Sequence, residues 1–219
     1  VTLGQPDVAM TFHPEVLAPE QRRLLAQLGP SMARERFYLV GGTAIAVLLG
    51  HRRSDDLDWF TAEPLEDALL LAQRLQADGV ALTVRQVGPG ALHGEALGVR
   101  TSFLEYRYRL LRPAQSWPEY GCLMASLDDL ACMKLAAIAQ RGARKDFLDI
   151  YALGNEHRPL AEMLRLYRSK YGIEDTLHVL RGLTYFDDAD KERMPRLVHR
   201  TSWPAVKAAI LEWVRATGP

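Results

Sequence analysis

The sequence has few cysteines and lacks any long apolar segment. Its two cysteines, Cys122 and Cys132, show neither a CxxC spacing nor an accompanying cluster of histidines. We therefore expect reduced thiols that pack in the interior, rather than a metal site or a disulfide framework. No stretch of about 18 residues is apolar throughout, and the N-terminal residues do not place an apolar core after a basic segment. We therefore expect a cytoplasmic protein without a membrane partner.

The sequence also lacks net charge. Its 27 Lys and Arg residues balance 27 Asp and Glu residues in a chain of 219. A neutral protein has no general affinity for nucleic acids or anionic membranes, so binding to either must come from a local patch of charge. Hydrophobic residues at 48% and charged residues at 25% are typical of a folded globular protein.

The first quarter of the chain has the pattern of a compact α/β unit. Leucines at near-helical spacing in residues 14–30 predict a helix that stops at Gly29-Pro30. The apolar run FYLVGG, residues 37–42, predicts a short buried strand that turns sharply at its glycines. A short helix should follow and end at Gly50, and a second strand should run through DDLDWF.

Later segments predict a different organisation. Residues 63–80 predict a helix, and the segments ALTVRQV, ALHGEALGV and RTSFLEYRYRLL predict antiparallel strands separated by glycines. From Ser126 onward the pattern is mostly helical, and residues 113–125 are rich in turn-forming residues. We therefore predict an α/β core over residues 1–120 and a mostly helical C-terminal lobe over residues 121–219.

The segment LVGGTAIAVLLGHRRSDDLDWF, residues 39–60, is where chemistry is concentrated. In a strand, Asp56 and Asp58 point to the same face, and two such close carboxylates repel unless one is protonated or a cation lies between them. Paired carboxylates suit Mg²⁺, which commonly binds one or two of them together with substrate phosphates. Gly41 and Gly42 would let the backbone approach a ligand, and Thr43 with the following helix N-terminus offers donors to a phosphate.

Structural explanations for the same residues remain open. A Gly-Gly pair can simply make a turn, and the carboxylates can be neutralised by Arg52 and Arg53. Arg53 could instead bind phosphate, and Ser54 could orient a carboxylate or the nucleotide. We expect His51 to make a local hydrogen bond or to face solvent.

The pattern resembles the nucleotidyltransferase superfamily typified by DNA polymerase β, whose signature is an apolar residue, Gly-Gly or Gly-Ser, a short helix and Asp-x-Asp. A closer resemblance is to the AbiEii toxins, which include the MenT-type enzymes. The segments that carry it are GGTAIAVLLGHRRSDDLDWF and SLDDLACMKLAAIAQRGARKDFLDIYAL, with weaker support from LTYFDDADKERMP and SWPAVKAAI.

The resemblance implies a fold and an activity. The fold would be α/β (α+β), with a mixed nucleotidyltransferase sheet flanked by helices and a C-terminal helical lobe closing the cleft. The activity would be Mg²⁺-dependent transfer of a nucleotide from an NTP to an acceptor, with the metal held by Asp56 and Asp58. Such a protein would act as a toxin of a toxin–antitoxin or phage-defence system, with tRNA or another RNA as acceptor and a cognate antitoxin as partner.

The resemblance also implies roles in the second block. Lys134 matches the lysine that would stabilise triphosphate or leaving-group charge, and Asp146 matches a supporting or metal-linked carboxylate. The roles of Arg141 and Lys145 stay open, since Lys145 could equally form an ordinary helical pair with Asp149. Glu105 is the candidate for a third catalytic carboxylate, although an ion pair explains it as well.

Two other functions fit the same segments. The first is a standalone nucleotidyltransferase that modifies a small molecule, which a further excess of acids in the cleft would favour, whereas a basic rim would favour RNA. The second is a protein of this fold that has lost catalysis and acts only by binding a partner. A dinucleotide-dependent oxidoreductase is excluded because no GxGxxG follows the first strand.

Overall fold

A seven-stranded mixed sheet forms the centre of the protein in the computed structural model, which describes residues 11–218. The strands are β1 (Tyr38–Val40), β2 (Leu57–Thr61), β3 (Thr83–Gly88), β4 (Ala91–Ala96), β5 (Val99–Glu105), β6 (Gln115–Trp117) and β7 (Cys122–Met124). Their order is β3-β4-β5-β2-β1-β7-β6. The β2–β5 and β1–β7 pairs are parallel and the others are antiparallel, so the predicted mixed sheet is confirmed.

Helices cover the sheet and make up most of the second half of the chain. They are α1 (Pro19–Arg34), α2 (Gly41–Leu49), α3 (Ala68–Ala77), α4 (Leu127–Gln140), α5 (Arg144–Glu156), α6 (Leu160–Tyr171), α7 (Leu177–Thr184) and α8 (Trp203–Ala216). Helix α2 contacts β1 and β2 as well as α4 and α5, so it joins the sheet to the helical half. No helix within residues 11–218 is long and apolar enough to span a membrane.

The two strands that carry the candidate site, β1 and β2, are short and largely buried. All three residues of β1 are buried, and in β2 the side chains of Leu57, Trp59 and Thr61 are buried. The intervening Asp58 and Phe60 are half-buried on the other face. This alternation presents Asp58 to a cavity while the neighbouring Trp59 anchors the strand in the core.

The predicted end of the first helix is wrong. Helix α1 continues through Gly29 and Pro30 to Arg34, burying Leu28 and Met32 on either side of the proline. A Cβ at residue 29 would collide with the backbone carbonyl of Tyr120, so this glycine serves close packing. Packing of the apolar face therefore outweighs the missing backbone donor of Pro30.

The strand prediction was also too long at one place and incomplete at another. Strand β5 ends at Glu105 and does not continue through the following YRYRLL residues. The turn-rich residues 113–125 contain two short strands, and β7 pairs with β1 in the middle of the sheet. The central sheet therefore includes strand β7, which lies beyond residue 120, the predicted end of the α/β core. The division of the chain into two lobes stays a prediction.

The remaining expectations about the chain can be placed on the structure. Cys122 and Cys132 are buried free thiols, and burial raises the pKa of each to about 12. The N-terminal residues that we expect to carry no secretion signal include residues 1–10, which lie outside the described residues, as does residue 219.

Candidate active site

Asp58 lies on one wall of a cavity of about 340 Å³ between the sheet and α4. It is the second residue of β2, where it is paired in register with Val40 of β1 and Ser102 of β5. Asp56 lies just before β2, and its negative charge acts on Asp58. The volume is within the range of small-ligand sites.

The Gly-Gly turn lies directly against the carboxylate of Asp58. Gly41 has a φ of +72°, and a Cβ there would lie 2.6 Å from Oδ2 of Asp58. A Cβ at Gly42 would overlap the guanidinium of Arg52 and lie 3.0 Å from Oγ of Ser54. Both positions therefore require glycine, because the turn is pressed against the loop that carries the acids.

Thr43 links the glycine turn to the loop that carries Asp56 through a hydrogen bond. Its hydroxyl donates to the backbone carbonyl of Asp56 from the first turn of α2, and its side chain is buried. The hydroxyl that we expected to meet a phosphate thus holds the acidic loop against the glycine turn. Gly50 ends the helix in a left-handed conformation with φ +66°, as the sequence predicts.

The carboxylates have the character of a cation site. Oδ1 of Asp56 is buried and forms an ion pair with Nη2 of the exposed Arg100 at 2.8 Å, but no other described residue satisfies it. Burial, together with the charge of Asp56, raises the pKa of Asp58. Among residues 11–218, no three acidic, histidine or cysteine side chains form a complete metal site. Two carboxylates completed by phosphate oxygens and water suit Mg²⁺.

A buried ionic network faces these acids. The Nζ of Lys134 lies 2.8 Å from Oδ1 of Asp146 and 2.8 Å from Oδ2 of Asp149, and all three side chains are buried. Burial alone would lower the pKa of Lys134, but the two carboxylates outweigh it and raise that pKa. Lys134 therefore remains charged, and it also lines the cavity that holds Asp58.

Arg52 and His51 complete the network, and sequence reasoning missed both of these roles. Arg52 Nε and Nη2 donate to the Asp149 carboxylate at 2.6 and 2.9 Å. His51 Nε2 lies 2.8 Å from Oδ1 of Asp149 and is 8% exposed, so the expected local or solvent-facing position is wrong. Asp149 was considered only as a helical partner of Lys145. The sequence signal for these pairs is Asp149 itself, which lies in an otherwise apolar stretch of α5. Because an unpaired buried charge is costly, such an aspartate requires a charged partner from elsewhere in the chain.

Arg141 and Lys145 lie on different elements. Helix α4 ends at Gln140, Gly142 has a φ of +54°, and Lys145 is in the first turn of α5. Arg141 donates to Asp146 and lines the cavity, with its side chain 60% exposed. Lys145 is exposed, and its charge is close enough to offset a small part of the rise in the pKa of Asp58. It forms no ion pair with Asp149.

Three predicted residues, Arg53, Ser54 and Asp146, do not line the cavity. Arg53 is exposed, and its backbone N–H donates to the carbonyl of Arg196. Ser54 is half-buried, with its carbonyl accepting from Gln21. Neither lines the cavity, and Asp146 contacts it only through Lys134 and Arg141.

Glu105 lies away from the carboxylate pair. It is opposite Thr61 in the β2–β5 register, and it pairs with Arg107 and with the backbone of Leu65. The residue opposite Asp58 is Ser102, and beside it on β4 is His93. His93 and Ser102 both line the cavity, and sequence reasoning considered neither.

Comparisons with known proteins identify the family of the chain. Residues 23–212 match the sequence profile of the family described as "Nucleotidyl transferase AbiEii toxin, Type IV TA system". An uncharacterised Aquifex aeolicus protein, aq_aa25, is 36% identical over 178 residues, covering 80% of this chain and 86% of that protein.

Two solved structures have the same fold. JHP933 from Helicobacter pylori superposes with a TM-score of 0.60 at 12% identity, over 94% of this chain and 93% of that one. MenT4, a nucleotidyltransferase toxin from Mycobacterium tuberculosis, has a TM-score of 0.54 at 14% identity, over 91% of this chain and 85% of the other. The fold is that of nucleotidyltransferases, and because the family profile covers most of the chain, this protein is a nucleotidyltransferase of the AbiEii toxin family.

Proposed function

We propose that this protein transfers a nucleotide from a nucleoside triphosphate to an RNA acceptor in a Mg²⁺-dependent reaction. The observation that supports the transfer step is the arrangement of one cavity. Asp58 and the Gly41 turn form one wall, while Lys134 and Arg141 contribute cations to the same lining. A triphosphate bound with its metal needs acids for the metal and cations for the phosphates.

The acids are proposed to hold the metal. Asp56 and Asp58 would bind Mg²⁺, and the raised pKa of Asp58 beside Asp56 supports this assignment, because two close carboxylates favour a cation between them. When bound, the ion would polarise the phosphate oxygens and offset the repulsion between the two carboxylates. Gly41 and Gly42 would let the phosphates approach the start of α2, and Thr43 would keep this turn against the acidic loop.

The cations are proposed to stabilise the charge that develops on the leaving pyrophosphate. Lys134 is fixed between Asp146 and Asp149, so its ammonium group needs no reorganisation during the reaction. Asp146 positions both Lys134 and Arg141. The exposed Lys145 and Arg53, together with Ser54, would contact the outer part of the nucleotide.

A basic rim supports RNA over a cationic small molecule as the acceptor. Residues 191–200, KERMPRLVHR, here called the basic segment, contain four Lys or Arg residues and one acid. Its Arg193, Arg196 and Arg200 are exposed, and none forms an ion pair within the described chain. Such a patch attracts a polyanion although the protein as a whole is neutral.

The basic segment is anchored on both parts of the candidate site. Near its start, the side chain of Glu192 accepts from the backbone N–H of Arg144 at the beginning of α5. Further along, the carbonyl of Arg196 accepts from Arg53, and the N–H of Val198 donates to His51, in the loop before the acids. The segment therefore runs between α5, whose aspartates hold Lys134, and the loop that leads to the candidate carboxylates.

The family supports the more specific role that we propose. As an AbiEii-type toxin, the protein would act on tRNA or another RNA and would be neutralised by a cognate antitoxin. Asp58 is the one acid among the described residues that line the cavity, so the acid-rich cleft expected for a small cationic acceptor is not favoured.

The experiment that tests the transfer reaction combines binding with labelling. Wild type and an Asp56→Asn/Asp58→Asn variant would be titrated calorimetrically with each NTP, with and without Mg²⁺, and incubated with labelled NTPs and bulk tRNA. We expect Mg²⁺-dependent NTP binding and RNA labelling in wild type and neither in the variant. Asp55→Asn removes an exposed acid from the same loop and should retain both activities. Equal binding by the double variant would refute the proposed metal site.

A further inference from the structure

We infer that His93 is the general base of the transfer reaction and takes the proton from the attacking hydroxyl of the acceptor. The inference rests on the proposed function and names a residue for a step that the acids and cations described above do not perform. It is carried by a row of three side chains across the sheet.

The row runs from β4 through β5 to β2. His93 is opposite Ser102 in the β4–β5 register, and Ser102 is opposite Asp58 in the β5–β2 register. Paired residues in adjacent strands direct their side chains to the same face. All three accordingly line the same cavity, and Nδ1 of His93 lies 3.1 Å from Oγ of Ser102.

The hydrogen bonds in this row set the proton position on the imidazole. Ser102 lies opposite Asp58 on the neighbouring strand, where its hydroxyl partly offsets the rise that burial and Asp56 cause in the pKa of that carboxylate. When Asp58 is ionised, as a metal ligand would be, its oxygens can only accept, so Ser102 directs its single proton toward Asp58. Oγ of Ser102 must then accept from Nδ1–H of His93, which leaves the lone pair on Nε2.

The Nε2 atom of His93 is available for a substrate. It makes no hydrogen bond to any residue between 11 and 218, and the half-buried ring lies on the cavity wall. A histidine held through Nδ1 with Nε2 facing a cleft is the arrangement used for proton abstraction.

The other proton acceptors near the cavity are already engaged. Asp146 and Asp149 are tied to Lys134 and to arginines, and both have a lowered pKa. Asp58 belongs to the proposed metal pair, and Glu105 does not line this cavity. His93 is the one imidazole among the described residues that line this cavity.

The proposed step is balanced as follows. The acceptor oxygen forms a bond to the α-phosphorus of the NTP while its proton moves to Nε2 of His93. The bond between the α-phosphorus and the bridging oxygen breaks, and pyrophosphate leaves with that electron pair. The imidazolium then releases its proton to solvent, which restores the neutral ring.

The test uses the full-length protein, labelled NTPs and bulk tRNA. In His93→Ala we expect a loss of about 10²–10⁴ in the rate of labelling, with Mg²⁺-dependent NTP binding unchanged by calorimetry. Added imidazole should restore part of the rate in His93→Ala by entering the space left by the ring. His178→Ala, an exposed histidine on α7, is the matched control and should label RNA at the wild-type rate without an imidazole effect.

The outcomes separate this inference from the proposed function. Labelling by His93→Ala within threefold of wild type, or a large loss that imidazole does not relieve, would refute the role of His93 while leaving nucleotide transfer intact. If His93→Ala is unstable in thermal unfolding, His93→Gln replaces it; a wild-type rate in the glutamine variant would refute the role equally. If wild type shows neither NTP binding nor labelling, the proposed function itself fails, and the inference fails with it.

Discussion

The guanidinium of Arg52 forms two parallel hydrogen bonds with the carboxylate of Asp149, across 97 residues of sequence. Both side chains are almost completely buried. The pair connects the loop before β2, which leads to the candidate metal ligands, to α5, which positions Lys134. The pair does not involve the candidate metal ligands, but its Asp149 carboxylate also holds Lys134, so it fixes a candidate phosphate-facing cation relative to the loop that carries the acids.

Asp149→Asn should strongly destabilise the protein. The substitution leaves Arg52 and Lys134 buried with too little compensating charge, and breaking a buried ion pair in this way costs about 3–5 kcal/mol. The measurement is the free energy of unfolding from chemical denaturation. Asp78→Asn removes another aspartate paired with an arginine, but Asp78 and Arg34 lie at the surface, so little change is expected. Equal stability of Asp149→Asn and wild type would contradict the importance of this network.

The same network should make the protein acid-sensitive. Burial would raise the pKa of Asp149, but the charges of Arg52 and Lys134 outweigh it and hold that pKa well below its ordinary value of 3.8. A group with a lowered folded-state pKa contributes stability above its unfolded pKa and loses that contribution as pH falls. We expect the free energy of unfolding to decrease steeply below about pH 4 in denaturant titrations at several pH values.

Comparison with the Asp149→Asn variant tests whether Asp149 causes the acid sensitivity. Asp149→Asn removes the group whose protonation is linked to unfolding, so its stability should vary less with pH below about 4 than that of wild type. Asp146, whose pKa is also lowered, remains in the variant and should preserve part of the dependence. Parallel curves for the two proteins would show that Asp149 does not contribute.

Gly41→Ala should weaken NTP binding more than it lowers the stability of the fold. The added Cβ would lie 2.6 Å from Oδ2 of Asp58, and Ala would also occupy a left-handed conformation at φ +72°. We expect Mg²⁺-dependent NTP binding to weaken at least tenfold in calorimetry, because Asp58 must move. Gly98→Ala is the matched control, since it has a φ of +75° and nothing within 4 Å of the new Cβ. It should show a similar backbone cost of about 1 kcal/mol and normal binding.

Sequence reasoning predicted those parts of the site that are local in the chain. The strand, glycine turn, helix and second strand lie within residues 37–61, and their periodicity and glycines are sufficient to predict them. The partners of Asp149 could not be predicted in this way, because Arg52 and His51 reach it only through the packing of α2 against α5. His93 was missed for the same reason, since its position in one row with Ser102 and Asp58 depends on the register of three strands.

Strand β7 and the proline in α1 show a second limit of predicting structure from local sequence patterns. Three residues at Cys122–Met124 are too few to produce a strand pattern of their own, and they form one by pairing with β1. Pro30 is an unfavourable residue in a helix interior, but the buried residues on both sides stabilise the helix around it. In both cases tertiary contacts override the local preference.

The basic segment provides the last prediction, which concerns the acceptor. Replacing Arg193, Arg196 and Arg200 with Gln should weaken tRNA binding and make it less dependent on salt, because fewer counterions are released from the RNA. With a slope of about −0.7 per phosphate contact on single strands, losing three contacts should reduce the slope of log K against log[salt] by about 2. A variant with Gln at Arg22, Arg165 and Arg168, three exposed arginines on α1 and α6, removes the same charge and should bind RNA like wild type. NTP binding should be unaffected in both variants, so weaker RNA binding in both to the same degree would indicate general electrostatics rather than a defined RNA surface.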